Sequence, residues 1–132
     1  MMLRATCLAL ALTALTACGS NKDDGAPENA KQLAAAGTPP PAFATCRACH
    51  SITPGKLGAG PSLSGIIGQK AGSQAGFPYS AALKNSGIMW DAKSLDTWLQ
   101  GPIQMVPGTR MVVGVPDAQA RKAVIDYLER LK

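Results

Sequence analysis

Only six of the 132 residues are aromatic, two each of Trp, Tyr and Phe, so a folding unit here has little ring mass with which to fill a core. There is a single histidine, His50, which excludes bis-histidine metal ligation within the chain and any catalytic histidine pair. No second cysteine pair accompanies Cys46 and Cys49, so four-cysteine zinc sites are excluded. No run of alternating apolar and polar residues marks a strand, and no 18-residue apolar stretch marks a membrane span. Basic residues are scattered and not interleaved with aromatics, which argues against nucleic acid as a partner. No acid, base or nucleophile stands out as catalytic, and the reading is of a protein that is not an enzyme.

What is present is concentrated in one pentad, Cys46-Arg47-Ala48-Cys49-His50. C-x-x-C-H reads as an attachment site for c-type haem: two thiols three positions apart form thioethers to the porphyrin vinyls, and the next imidazole is carried to the iron. C-x-x-C also serves dithiol oxidoreductases and half-sites for zinc. The first wants the pair at a helix start after a strand, and nothing strand-like precedes Phe43; the second wants ligands this chain lacks. An internal haem would also supply the hydrophobic mass that so few aromatics leave missing.

The N-terminus reads as a targeting segment, with Met1 to Arg4 positive and Cys7 to Leu15 apolar. Leu15-Thr16-Ala17-Cys18 resembles the lipobox of bacterial lipoproteins, which implies cleavage after residue 17 and a lipid on Cys18. An ordinary secretory signal is the alternative. Residues 18–41 are polar, then alanine-rich, then Thr38-Pro39-Pro40-Pro41, a composition that reads as a flexible tether. A short helix over Ala30 to Ala36 is possible there but has no evident surface to pack on. The expected division is residues 1–17 signal peptide, 18–41 lipid-anchored linker and 42–132 folded domain.

Within that domain the periodic segments are helical and are separated by Gly- and Pro-rich loops. Helices are expected over Pro41 to Cys49, over Ser80 to Ser86 before Gly87, and from an Asp91 cap through Leu95, Trp98 and Leu99 to Gly101-Pro102. A last helix starts at an Asp117 cap. It carries the stripe Val124, Ile125, Leu128 and Leu131, with Arg121, Lys122, Arg130 and Lys132 expected on or near solvent. It should cross the first helix of the domain near Tyr127.

With His50 on one side of the iron, the sixth position is open to Met89, Met105, Met111, an amine or water. Met111 is favoured because Pro107-Gly108-Thr109-Arg110-Met111 is a loop that can bend a side chain back; Met105 is the runner-up.

From about Pro41 to Lys132 the chain resembles the class I, mitochondrial-type cytochromes c. The carrying residues are Cys46, Cys49 and His50, then Gly60-Pro61-Ser62-Leu63, Gly76-Phe77-Pro78-Tyr79-Ser80, Trp90 and Pro107-Gly108-Thr109-Arg110-Met111, in order and at closely similar spacing. The resemblance implies an all-α fold of about four to five helices around one haem c, bound covalently through Cys46 and Cys49, with His50 and Met111 as iron ligands. It implies that the Pro61 carbonyl accepts from His50, that Tyr79 and Trp90 bind a haem propionate, and that Leu63 and Trp98 line the cofactor. Three positions depart from the pattern: Gln69 replaces an arginine near a propionate, Leu83 an asparagine, and Trp98 a tyrosine near the methionine. Pro39 to Pro41 also clip the first helix.

The implied function is single-electron transfer between respiratory or photosynthetic membrane complexes. The protein would act as a monomer, held by its lipid on the periplasmic side of a bacterial membrane. Alternatives are a fixed electron-entry subunit of an oxidase or dehydrogenase, or a peroxidase-like enzyme or sensor if Met111 does not ligate. From Phe43 onward ten Lys/Arg stand against five Asp/Glu, which is either a basic rim that steers toward an acidic partner or an ordinary solvated surface.

Overall fold

The computed structural model describes residues 28–131. Cys7, Cys18, the proposed signal and lipid site, and Lys132 lie outside them. Six helices follow in order: α1 (Glu28–Ala36), α2 (Phe43–Arg47), α3 (Ala81–Lys84), α4 (Ala92–Gln100), α5 (Pro102–Met105) and α6 (Ala118–Arg130). There is no strand among the described residues. A single antiparallel bridge, Lys70 to Met89, lies between backbone bonds from Ala71 N–H to Ile88 O (2.8 Å) and from Trp90 N–H to Gln69 O (2.9 Å).

The caps legible in the sequence are made. Ser80 Oγ accepts from Leu83 N–H, Asp91 from Ser94 N–H and Asp117 from Ala120 N–H, each satisfying a donor that the first helical turn leaves unpaired. Beyond α3 the chain reverses at Gly87, whose φ of 71° suits a residue without Cβ.

The scarce aromatics are used in pairs. Phe43 of α2 meets Tyr127 of α6 edge-on with ring centroids 4.7 Å apart, Trp90 meets Trp98 at 5.3 Å, and Phe77 meets Tyr79 at 4.8 Å. All six rings are thus committed, and such pairs contribute about 0.5–1.5 kcal/mol each beyond the area they bury. Phe43, Tyr127, Val124 and Leu131 are the largest fully buried side chains. Helix α6 therefore meets the short helix that leads into the cysteine pair at Tyr127, where the crossing was expected.

Three features differ from the sequence reading. Glu28–Ala36, expected within a flexible tether with no surface for a helix to pack on, is helical and packs on α6. Ala36 is fully buried, Leu33 packs on the core, and Arg130 Nε donates to Ala36 O at 3.0 Å, which answers one of the carbonyls a helix end leaves free. The surface that this segment seemed to lack is α6 itself. Second, α5 adds a turn after Gly101, with Pro102 in its first turn, where a missing N–H costs nothing. Third, Arg121, expected at solvent, is buried: Asp96 lies across from it on α4 and pairs with its guanidinium at 2.8 Å.

Candidate functional site

The pentad is shaped by α2. Buried Phe43 fixes the helix to α6, and past Arg47 the chain turns so that the N–H groups of Cys49 (3.2 Å) and His50 (2.9 Å) both point at Cys46 O. One turn thus carries two free thiols and the imidazole, with Cys46 half-buried and Cys49 exposed. Burial pushes the Cys46 thiol above its usual range, with a smaller opposing pull from backbone hydrogen bonding. A dithiol oxidoreductase needs the reverse, an attacking cysteine shifted toward thiolate at a helix N-terminus, so the site does not suit that chemistry.

His50 is fixed from behind. Its Nδ1 lies 2.7 Å from Pro61 O, and because a carbonyl only accepts, the proton sits on Nδ1 and the Nε2 lone pair is left for a metal. The segment carrying Pro61 is laced to the segment after the pentad: Gly60 N–H donates to Cys49 O (2.9 Å), Leu63 N–H to Ser51 O (2.8 Å), and buried Ser62 Oγ to Thr53 O (2.8 Å). Gln74 Oε1 accepts from Ser62 N–H at 2.8 Å. Gly60 lies flat against the imidazole, where a Cβ would come within 2.6 Å of Nδ1 and 2.9 Å of Nε2. A role for Gly60 in seating the ring, and for Ser62 and Gln74 in bracing it, was not readable from spacing. The glycine beside Pro61 is the only signal for it.

A second group gathers around Met111. The indole N–H of Trp98 donates to Met111 Sδ at 3.3 Å, and Trp98 is itself wedged edge-on against Trp90; both indoles are about 95 % buried. Of the other candidate methionines, Met105 packs half-buried on the core and Met89 is 54 % exposed. Leu63 also packs on the core. Trp90 exchanges backbone bonds with Gly68 and Gln69, which brings the arginine-replacing Gln69 beside the tryptophan. Tyr79 is half-buried against Phe77, and burial pushes its phenol above the usual range, with an opposing pull from the Gln74 backbone. Leu83 fills its position as a core residue.

A free imidazole nitrogen and two unpaired thiols on the same turn are a donor set suited to haem c. Among the described residues no three His, Cys, Asp or Glu side chains converge as a metal cluster would require. Fold and site together define a small helical haem-attachment domain.

No family model matches the chain. Among known proteins it is 46 % identical over 93 residues to cytochrome c2 iso-2 of Magnetospirillum fulvum, a match that spans 70 % of this chain and 97 % of that one. It is 48 % identical over 88 residues to cytochrome c2 of Rhodomicrobium vannielii, spanning 65 % of this chain and 70 % of that one. The structure of cytochrome cH from Methylobacterium extorquens superposes with a TM-score of 0.63 at 46 % identity, over 67 % of this chain and 90 % of that one. The chain belongs to the class I cytochromes c, alongside the cytochromes c2 and cH. It is an electron-transfer protein with covalently bound haem c, not an enzyme.

Proposed function

We propose that the chain is a single-electron carrier in which Cys46 and Cys49 hold the haem, His50 and Met111 ligate the iron, and a lipid on Cys18 keeps the domain on the periplasmic side of a bacterial membrane. Haem c supplies a one-electron Fe(III)/Fe(II) couple. The chain's own residues set its terms. Pro61 O holds the proton on His50 Nδ1, which leaves Nε2 free and makes it a stronger donor. A thioether from Met111 is a soft ligand that favours the ferrous state. The Trp98 N–H takes up sulfur electron density that would otherwise go to the metal, pushing in the same direction. If His50 and Met111 both hold the iron, small ligands would be kept from it, which suits carriage of electrons and not peroxide or oxygen chemistry. Its partners in this reading are the membrane redox complexes that donate and accept the electron.

The observation that carries the reading is the 3.3 Å contact between the Trp98 indole and Met111 Sδ, which favours this thioether over those of Met89 and Met105. The test is the visible spectrum of the oxidised holoprotein. A weak sulfur-to-iron charge-transfer band at the red end should be present, should vanish in Met111→Ala, and should survive in Met105→Ala. Loss of the band in Met105→Ala with retention in Met111→Ala would transfer the role to Met105.

A further inference from the structure

Met111 lies in a stretch without regular structure, between α5 and α6, and little within that stretch holds it. Internally there are only Thr109 N–H to Val106 O (3.1 Å) and Met111 N–H to Thr109 Oγ1 (3.4 Å). Val112 and Val113, which follow, are 67 % and 48 % exposed, so burial does not pin them. The restraints come from outside. Before Met111, Arg110 Nη1 donates to Pro78 O at 2.8 Å. After it, Arg121 Nη1 donates to Pro116 O at 2.7 Å and to Val115 O at 3.1 Å, while Val115 N–H donates to Leu99 O at 2.6 Å.

Arg121 is an unusual residue in this position. Its side chain is 8 % exposed, and a buried guanidinium is costly unless its donors are matched. Here Nε meets Asp96 Oδ1 at 2.8 Å and Nη1 serves the two loop carbonyls. It also sits near the N-terminal end of α6, where the helix dipole disfavours a cation, so helix stability does not account for it. Asp96 stands two residues before Trp98 on α4, so one short helix presents both the carboxylate that orients Arg121 and the indole that contacts the Met111 sulfur.

We infer that Arg121 is a positioning residue for Met111: locked by Asp96, it holds the far end of the ligand loop and sets how long the sulfur stays on the iron. This rests on the reading of Met111 as ligand. Without the clamp the Val112–Pro116 segment, exposed at Val112 and Val113, swings, and the thioether, a weak and easily displaced ligand, leaves more often.

The experiment measures the rate at which free imidazole binds the oxidised holoprotein, a reaction that needs the sulfur to depart. Arg121→Gln should bind imidazole at least tenfold faster than wild type. Asp96→Asn, which keeps the guanidinium but removes its anchor, should lie between them and guards against failure of the first variant to fold. Val124→Ala is the control, a cavity on the same helix at a residue bonded to none of the loop carbonyls, and should change the rate less than threefold. Equal rates in Arg121→Gln, Asp96→Asn and Val124→Ala would overturn the inference and reduce Arg121 to a structural residue. A wild-type protein without the red-end band, or one that binds imidazole as fast as Met111→Ala, would instead overturn Met111 ligation and the clamp with it.

Discussion

A single methyl group at position 60 is the smallest change that reaches His50. Gly60 does not have positive φ, so alanine there is free of backbone strain, and its effect is steric. The added Cβ would lie 2.6 Å from Nδ1, too close for either atom to stay. The imidazole cannot retreat without giving up the bond to Pro61 O, which fixes its tautomer. Gly60→Ala should therefore lower the yield of holoprotein, judged by haem absorbance per mole of intact-mass-verified chain, and cost about 1–3 kcal/mol in thermal unfolding as overpacking does. Gly55 offers the contrast. Its φ is 68° and an added Cβ would meet nothing within 4 Å, so Gly55→Ala costs only backbone strain and should leave haem content unchanged. Equal haem loss in both variants would show that the contact between Gly60 and the ring carries no weight.

Among the elements, α4 matters most, since it presents Asp96 to Arg121 and Trp98 to Met111, and its start is set by a reciprocal cap. Asp91 Oδ1 accepts from Ser94 N–H at 2.7 Å while Ser94 Oγ accepts from Asp91 N–H at 2.8 Å. Ser94, first through its backbone N–H and then through its hydroxyl, holds the Asp91 carboxyl below its ordinary range, with a smaller pull from Lys93. A lowered folded-state value means that the cap's stabilisation is fully present above the unfolded value of about 3.9 and is lost as pH falls through the lower folded one. Asp91→Ala should melt below wild type at pH 7, and the gap should narrow in a series of melts toward pH 2; a gap independent of pH would show that the carboxylate is not the source. The cap was legible in the sequence, as was α6, because Asp117 and the stripe from Val124 to Leu131 state both the start and the buried face. The haem c cofactor was legible through the spacing of the Cys46–His50 pentad. What escaped was decided by partners distant in sequence. Alanine-rich α1 shows no face of its own, and α6 supplies the surface. Arg121 reads as a solvent cation until Asp96, 25 residues away, is placed beside it. The turn of α5 is too short for periodicity to be counted.

At the scale of the whole molecule, docked α1 changes what a lipid on Cys18 would do. If the chain were free from Cys18 to Phe43, its 25 Cα-to-Cα steps could extend at most about 85 Å; with α1 fixed on α6, only ten steps lead from Cys18 to Glu28, and they span at most about 35 Å. The domain would then stay near the bilayer with its α1 and α6 side toward the anchor. Arg130 Nε to Ala36 O and the packing of Leu33 are the contacts that keep the tether short. Replacing both, Arg130→Ala with Leu33→Asp, should release α1 and lengthen the reach more than twofold. The measurement is haem quenching of a headgroup fluorophore in vesicles carrying the lipidated protein. Wild type should quench strongly and the released variant less, whereas Cys18→Ser should not bind the vesicles at all. Equal quenching by wild type and released variant would mean that α1 does not govern the standing distance. Vesicle binding by Cys18→Ser would instead remove the lipid from Cys18, leaving the docking of α1 as a property of the fold alone.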